Sequence, residues 1–402
     1  MSIVRDVTRE AIKHLESEEI LIFVGSRQSG KTTILKQIQT EIIDKKQPSF
    51  FLNLEDPEYL DLLNEHPRNL LKIFSLNPQR KNFVFIDEIQ YLKNPSNFLK
   101  YIFDEYKGKI KLIVSGSSAF YMDRKFTDSL AGRKRIFNVY TLSFREFLRF
   151  KEENELSEKN FNNVSMEEEN KIDLYFREFV VFGGYPRVVL SPLDEKENIL
   201  RELAYSYVKK DIFEANIKQE DVFYKFFKIL ASQTGGLVNA SGMAGTLGVS
   251  KTSIDNYLYV MRKSFHVALI PPFFRNIRKE ISKMPKVFFY DMGLRNFFLG
   301  NFSSFETRTD KGQLLENAVF KQLLERDGVE NVRFWRTASQ KEVDFVSAES
   351  SAYEVKSDIG QFKRSKYKDF IRAYPKINFS IATLGTPKKS IEGYPVLNVW
   401  RI

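Results

Sequence analysis

The sequence of 402 residues contains no cysteine and only three histidines. Disulfides, zinc knuckles and iron–sulfur clusters depend on these residues, so they are excluded. A metal site in this chain must use oxygen ligands, which suit Mg²⁺ or Mn²⁺. The sequence also lacks an apolar run long enough to span a bilayer, and its first residues lack the apolar core of a signal peptide. We therefore expect a soluble, cytoplasmic protein with no membrane partner.

The composition predicts a folded protein with several domains. A chain of this length is expected to hold two or three of them. Hydrophobic residues make up 43% of the sequence and aromatic residues 14%, so a sizeable core is available and the 37 phenylalanines are interpreted as packing residues. The net charge of +10 is compatible with a polyanionic partner, although the basic residues are spread along the whole chain.

A glycine-containing loop between a predicted strand and a predicted helix is the most informative motif. The apolar residues 20–24 precede the loop, and residues 33–38 continue it as a helix. Glycines let the loop turn its N–H groups toward phosphate oxygens, and the positive end of the helix strengthens the anion site. Lys31 can reach the β- and γ-phosphates, and Thr32 can offer its hydroxyl to Mg²⁺. The predicted ATP-binding residues are Gly25, Ser26, Arg27, Gln28, Ser29, Gly30, Lys31, Thr32 and Thr33.

Two acidic residues complete the predicted nucleotide site. Asp87 and Glu88 follow residues 83–86, which are apolar and predict a parallel strand that is buried on both faces. Two carboxylates at the end of such a strand are costly to bury without a cation. We predict that Asp87 holds Mg²⁺ together with Thr32, and that Glu88 polarises the attacking water.

Further apolar segments predict a doubly wound parallel sheet, and the fourth of its strands ends in serines. The other predicted strands are residues 50–54, 110–114 and 136–140. Ser115, Ser117 and Ser118 follow the fourth strand. A hydroxyl there either contacts the attacking water or the γ-phosphate, with Ser117 as the candidate, or caps the next helix.

The order of these features resembles the AAA+-type P-loop ATPases of archaea and bacteria. The matching segments, all within the first two hundred or so residues, are GSRQSGKT, FVFIDEIQ, LIVSGSS, LAGRKR and YTLSFREF. The resemblance implies that Arg133 lies near the γ-phosphate, either within one subunit or across an interface between subunits. It also implies a small helical lid around residues 182–187, with Arg187 as a nucleotide sensor. From the residues alone, Arg133 could equally lie in a solvated basic loop.

The middle of the chain predicts a winged helix. Residues 222–230 and 252–261 have helical patterns, and residues 243–250 form a short helix with a glycine turn between them. Residues 267–270 and 286–290 can pair as the strands of a wing. The residues predicted to face DNA are Lys251, Ser253, Asn256 and, at the tip of the wing, Arg275 and Arg278. The alternative is a module that only packs between domains.

The C-terminal segment predicts a second, oxygen-only metal site. Residues 312–320 predict a helix that contains Glu316, and three strand patterns follow it. The last two strands can form a hairpin that brings Asp344 beside Glu354, with Lys356 on the same face as Glu354. The set resembles the PD-(D/E)xK nuclease core and the domain of unknown function that commonly ends these ATPases. This resemblance implies Mg²⁺ or Mn²⁺ on Glu316, Asp344 and Glu354, with Lys356 as catalytic partner. The alternative is a charged hairpin on an inactive nuclease-like fold.

These inferences combine into one expected α/β architecture: a P-loop NTPase doubly wound parallel sheet with a helical lid, then a winged helix, then a small α/β PD-(D/E)xK-like domain. The predicted domains are residues 1–215, 216–300 and 301–402. The expected function is an ATPase that acts on DNA or on a DNA-associated complex, with metal-dependent nuclease activity in the C-terminal domain. The alternative is a nucleotide-switched regulatory or defence protein, assembled with itself or a partner protein, whose C-terminal domain is a scaffold.

Overall fold

The computed structural model describes residues 3–77, 79–116, 130–274, 283–385 and 390–402. The chain divides into two compact units. The first unit comprises residues 1–140 with 263–265, and the second comprises residues 141–262 with 266–402. The predicted division into three domains stays a prediction beside this coarser division.

A five-stranded parallel sheet forms the first unit. Its strands are β1 (Ile20–Gly25), β2 (Ser49–Asn53), β3 (Asn82–Asp87), β4 (Ile110–Gly116) and β5 (Lys134–Val139). The spatial order is β2-β3-β4-β1-β5, and every neighbouring pair is parallel. Strands β1, β3 and β4 are buried along their whole length, as expected for a sheet that is covered on both faces. The predicted α/β sheet is confirmed.

Helices cover both faces of this sheet and create two separate cores. The helices are α1 (Asp6–Ile12), α2 (Lys31–Asp44), α3 (Pro57–Glu65), α4 (Leu70–Ile73) and α5 (Pro95–Glu105). Successive strand residues alternate between the faces, so Ile22 and Val84 pack in the core with α5, whereas Phe23 and Phe85 pack in the core with α2. This double coverage holds the carboxyl ends of the strands, where the P-loop begins, on a rigid support.

The second unit begins with helices, which are joined by a short antiparallel hairpin. The helices are α6 (Phe144–Phe150), α7 (Asn154–Glu158), α8 (Met166–Phe182), α9 (Pro186–Leu190), α10 (Lys196–Glu214), α11 (Glu220–Ser232), α12 (Ala240–Leu247), α13 (Lys251–Lys263) and α14 (Met292–Leu299). The hairpin strands are β6 (Val267–Ile270) and β7 (Lys286–Phe289). Helix α8 begins with a capping box between Ser165 and Glu168.

The segment predicted as a winged helix contains the expected helices and strands. A left-handed Gly248 (φ 66°) ends α12, so the chain turns sharply into α13. Strands β6 and β7 pair antiparallel from Val267 opposite Phe289 to Ile270 opposite Lys286. The tip between the strands, with Arg275 and Arg278, lies outside the described residues.

The chain ends in a mixed six-stranded sheet that packs against one long helix. The elements are α15 (Lys311–Asp327), β8 (Val332–Arg336), β9 (Glu342–Ser347), β10 (Ser351–Val355), α16 (Lys368–Ala373), β11 (Asn378–Thr383), β12 (Ser390–Ile391) and β13 (Tyr394–Asn398). The strand order is β12-β13-β11-β10-β9-β8, and β8, β9 and β10 form an antiparallel meander. The buried Asn317 of α15 binds both backbone groups of Phe289, which joins the helix to the hairpin. Among the described helices, none is both long and apolar enough to cross a bilayer.

Candidate nucleotide site and acidic cluster

The P-loop connects β1 to α2 and is shaped by two glycines. A Cβ atom on Gly25 would come within 2.0 Å of Val139 O, so only glycine permits this approach of β1 to β5. Gly30 has φ 98° and directly precedes α2. The first N–H groups of a helix have no partner within it, so this end of α2 can bind phosphate. The loop thus leads into a helix end whose N–H groups can bind an anion, and phosphate binding by its residues stays a prediction.

Lys31 is held beneath the loop. Its Nζ donates to Gly25 O at 3.1 Å and to Ser26 O at 2.8 Å, and only 5% of the residue is exposed. Burial lowers the pKa of this ammonium to about 8, while the nearby Glu88 and Asp87 act in the opposite direction. The cation is thus poorly solvated and is placed to gain from an anionic ligand.

A hydroxyl on each side holds the Asp87 carboxylate at the carboxyl end of β3. Thr32 Oγ1 donates to Asp87 Oδ2 at 2.6 Å, and Ser115 Oγ donates to Asp87 Oδ1. Thr32 and Asp87 are the two predicted Mg²⁺ ligands, so the structure brings them together as the sequence analysis expects. Ser115 is the serine that reaches this site, whereas Ser117 lies outside the described residues.

Glu88 has an unusual backbone conformation. Its φ of 58° and ψ of 46° are left-handed, which is uncommon for a residue other than glycine and clusters at functional sites. Its N–H donates to Ser115 Oγ at 3.2 Å, and its carboxylate accepts from Gln90 Nε2. Side chains on both sides therefore fix the direction of the predicted catalytic carboxylate.

Arg5 supports the P-loop from outside the motif and was not predicted from the sequence. Its Nη1 donates to Ser29 O at 2.8 Å and its Nη2 to Tyr140 O at 3.0 Å, and the residue is buried. No local pattern identifies an arginine that acts 24 residues away, because the contact depends on the fold of the whole unit.

Arg133 does not lie at the nucleotide site of its own subunit, so that part of the prediction is wrong. Its carbonyl accepts from Ile20 N, at the amino end of β1, whereas the P-loop follows Gly25 at the carboxyl end. The length of the strand separates the two by about 20 Å. The guanidinium instead binds Asp104 at 2.9 Å and lies over the ring of Phe103. Action across a subunit interface stays a prediction.

Arg187, the predicted nucleotide sensor, lies in α9 of the second unit. Its guanidinium binds Glu202 Oε2 at 2.9 Å, and about half of each side chain is exposed. The hydrogen bond that Arg187 donates to Glu202 raises the pKa of Arg187. The sensor role stays a prediction.

The predicted acids of the C-terminal segment lie close together in the second unit. Asp344 Oδ2 accepts from Val355 N at 2.8 Å, which places its carboxylate beside Glu354 on the adjacent strand. Glu354 accepts from Lys356 and, at 2.7 Å, from Tyr367 Oη. Lys356 thus points to the same side as Glu354, as the alternation of strand residues predicts.

A lysine that the sequence analysis placed only in the wing lies among these acids. Lys286 Nζ is 2.5 Å from Glu342 Oε1, 3.9 Å from Asp344 Oδ1 and 4.0 Å from Glu316 Oε2. We call Lys286, Glu316, Glu342, Asp344, Glu354 and Lys356 the acidic cluster.

Burial and mutual repulsion act on the carboxylates of the acidic cluster. Burial is the main cause that raises the pKa of Glu316 well above its usual value, and repulsion from the carboxylate of Asp344 adds to the increase. Burial and the same neighbour raise the pKa of Glu354 to about 8. The cluster therefore favours cations or protons over bare carboxylates.

The two predicted metal sites differ in how well they fit a cation. At the P-loop, the hydroxyl of Thr32 and the carboxylate of Asp87 suit Mg²⁺, whose other ligands would be nucleotide and water. In the acidic cluster the ammonium of Lys286 already lies between Glu342, Asp344 and Glu316. Within the described parts of the chain, no three His, Cys, Asp or Glu side chains are arranged to hold a metal ion.

Three protein-family models match successive segments of the chain. Residues 17–148 match an AAA domain. Residues 173–304 match a domain of unknown function (DUF8612), and residues 311–398 match another (DUF4143). The matches cover both units but assign a biochemical class to the first segment only.

Several relatives and solved structures are similar to the chain. An uncharacterised protein of Methanocaldococcus jannaschii is 29% identical over 85% of this chain and 74% of its own length. An uncharacterised protein of Haemophilus influenzae is 26% identical over 84% of this chain and 82% of its own length. The ADP form of the Aeropyrum pernix ORC2 protein matches at 11% identity and a TM-score of 0.38, covering 76% of this chain and 96% of that chain. AMPPCP-bound DnaA from Aquifex aeolicus matches at 17% identity and a TM-score of 0.31, covering 65% of this chain and 89% of that chain.

The AAA-domain match and the site geometry agree on the class of the first unit. A parallel sheet, a P-loop after β1 and an acidic pair after β3 lie within the matched residues 17–148. The amino-terminal part of the chain therefore matches an AAA domain in sequence and has the geometry of a P-loop nucleotide site. Two segments that match domains of unknown function follow it.

Proposed function

We propose that this protein binds ATP with Mg²⁺ at the P-loop and hydrolyses it. The observation that carries the proposal is the 2.6 Å hydrogen bond between Thr32 Oγ1 and Asp87 Oδ2, beside the buried ammonium of Lys31. A hydroxyl, a carboxylate and a lysine at the carboxyl edge of a parallel sheet are the groups that Mg²⁺ and a triphosphate require.

Each side chain at the site has a distinct role in this proposal. Lys31 and the loop N–H groups bind the phosphates, and Thr32 and Asp87 would hold Mg²⁺, which neutralises charge that develops on the phosphate oxygens. Ser115 orients Asp87 through its hydroxyl. Glu88 takes a proton from the attacking water.

We expect Asp87→Asn to lower Mg²⁺-dependent ATP hydrolysis at least about a hundredfold, because an amide lacks the negative charge that attracts the metal. Binding of ATP without Mg²⁺ should change little, since Asp87 faces the metal position and not the phosphates. The measurement is phosphate release across a Mg²⁺ titration, with nucleotide binding measured in parallel. The control is Asp44→Asn, an exposed residue at the end of α2. Unchanged turnover in Asp87→Asn would refute the metal role of this residue.

We further propose that helix α13 presents a nucleic-acid-binding surface. Lys251 and Asn256 are exposed and Ser253 is half-buried, while Ile254 and Tyr257 face the core of the unit. This leaves the polar side of the second helix of a helix-turn-helix pair available to a duplex. The net charge of +10 supports a polyanionic partner.

We expect Lys251→Glu to weaken DNA binding by a similar factor for all sequences, because a lysine at the phosphate backbone carries no sequence information. The slope of log affinity against log salt should become smaller by about one unit, since one fewer counterion is released. Fluorescence anisotropy over a range of salt concentrations measures both effects. Lys218→Glu makes the same charge change at an exposed position outside α12 and α13 and should have little effect. Equal losses in the two variants would mean that α13 is not the binding surface.

A nucleotide-switched regulatory or defence protein is the second candidate function. The observation in its favour is Lys286, which lies among acids that a nuclease would need for a metal. DNA separates the candidates: it should stimulate ATP turnover in an ATPase that acts on DNA, and it should leave turnover unchanged if ATP only switches assembly or partner binding.

A further inference from the structure

The acidic cluster already contains a fixed cation. Lys286 Nζ forms an ion pair with Glu342 Oε1 at 2.5 Å and lies at 3.9 Å from Asp344 Oδ1 and 4.0 Å from Glu316 Oε2. Two of these three carboxylates belong to the set that the sequence analysis assigned to a metal. The ammonium therefore shares its immediate surroundings with the position that a metal on Asp344 and Glu316 would need.

The backbone and neighbours of Lys286 prevent this side chain from moving away easily. The residue belongs to β7, pairs with Ile270 of β6, and forms a second bridge with Leu237. Its ammonium lies 5.3 Å from the centre of the Phe334 ring, and only 2% of its side chain is exposed. A buried cation with these contacts is part of the folded structure, unlike a surface lysine that exchanges partners.

The loop between α11 and α12 closes over the carboxylate of Glu316. A Cβ atom on Gly235 would lie 2.6 Å from Glu316 Oε2, and Gly235 has φ 78°. Its N–H donates to Val287 O at 2.8 Å, next to Lys286. Glycine at this position lets the backbone lie directly against the acid, so the cluster is closed on this side by the chain itself.

Side chains also supply partners for the other acids of the cluster. Glu342 Oε2 accepts from Arg336 at 3.0 Å, and Glu354 Oε1 accepts from Lys356 and Tyr367. Glu354 Oε2, in contrast, is buried and has no hydrogen-bond partner among the described residues. One buried carboxylate oxygen of the acidic cluster could therefore still bind a cation.

We infer that Lys286 is the resident cation of the acidic cluster and excludes a divalent metal from it. The C-terminal sheet is then a domain without metal-dependent nuclease activity, and a single side chain keeps its metal site closed. This inference does not depend on ATP hydrolysis, because all of its residues belong to the second unit.

The test is calorimetric titration of Mn²⁺ into the full-length, nucleotide-free protein. Wild type and Asp344→Asn should bind Mn²⁺ alike, because the cluster contributes no site. Lys286→Met removes the charge but keeps much of the side-chain volume. This variant should bind one more Mn²⁺ per chain than wild type, at least tenfold more tightly than any Mn²⁺ binding by wild type. Adding Asp344→Asn to Lys286→Met should abolish this gain.

Two controls test whether any gain in Mn²⁺ binding comes from removing the positive charge at Lys286 or from removing any positive charge near the acidic cluster. Lys286→Arg keeps a cation in the cluster and should not gain Mn²⁺ binding. Arg336→Met removes a cation that contacts Glu342 at the edge of the cluster, and it should not gain binding either. A wild-type site that Asp344→Asn abolishes would overturn the inference, as would a folded Lys286→Met that binds no more Mn²⁺ than wild type. If Lys286→Met does not fold, the comparison of wild type with Asp344→Asn decides alone: equal binding supports the inference, and a difference overturns it.

Discussion

Glu88→Gln is expected to bind ATP with close to wild-type affinity and to hydrolyse it roughly a hundred- to ten-thousandfold more slowly, the usual range for loss of a general base. The carboxylate of Glu88 is the group in the site that can accept a proton from water without also serving the metal. The amide of glutamine cannot accept that proton at neutral pH.

The structure makes glutamine a conservative replacement at this position. Gln90 Nε2 donates to the Glu88 carboxylate, and the amide oxygen of a glutamine can accept the same bond. The bond between Glu88 N and Ser115 Oγ involves the backbone, so it is retained. Binding should be measured with a fluorescent nucleotide and turnover by phosphate release, with the exposed Glu105→Gln as control. Equal turnover in wild type and Glu88→Gln would assign the base to another residue.

The sheet of the first unit could be predicted from sequence because its central strands are buried on both faces. Such strands appear as continuous apolar runs, and β1, β3 and β4 lie within two residues of their predicted limits. The strand order was not predicted, because the pairing of distant strands leaves no local pattern in the sequence.

The nucleotide site could be predicted where its residues are contiguous in sequence. The P-loop and the Asp87–Glu88 pair have spacing that the chemistry of phosphate binding dictates. Arg5 and Gln90 were missed because their roles depend on contacts that only the folded unit creates. Ser115 was considered with its neighbours, and the structure shows it as the serine that binds Asp87.

The error on Arg133 has a geometric cause that the sequence could have revealed. A residue that directly precedes a parallel strand lies at the amino edge of the sheet, whereas the P-loop follows a strand and lies at the carboxyl edge. An arginine immediately before β5 therefore cannot reach the γ-phosphate of its own subunit.

The position of Lys286 could not be predicted in the same way. The lysine lies 30 residues before Glu316 and 58 residues before Asp344 in the numbering, in what the sequence presents as a separate module. Only the packing of the hairpin against the C-terminal sheet places its ammonium among the acids. Residue patterns can identify acids that would bind a metal ion. They do not show whether a basic side chain from another part of the chain already lies between those acids.

Lys31→Ala is expected to weaken ATP binding by at least about a hundredfold. A hydrogen bond to a charged group contributes roughly 1.5–3 kcal/mol, and a lysine that spans the β- and γ-phosphates makes about two of them. Each 1.4 kcal/mol corresponds to about a tenfold change in affinity, so the loss of both bonds exceeds two orders of magnitude. Hydrolysis at ordinary ATP concentrations should then be undetectable.

The stability of the variant separates this loss of binding from unfolding. Burial lowers the pKa of Lys31 to about 8 from 10.5, so keeping it charged at neutral pH costs the fold on the order of 3 kcal/mol. Alanine removes that cost but leaves Gly25 O and Ser26 O without their donor, at about 1–3 kcal/mol each. The two effects are of similar size, so the melting temperature without nucleotide should change little. The exposed Lys36→Ala on the same helix is the matched control and should bind ATP as wild type does. Wild-type affinity in a folded Lys31→Ala would show that the phosphates bind elsewhere.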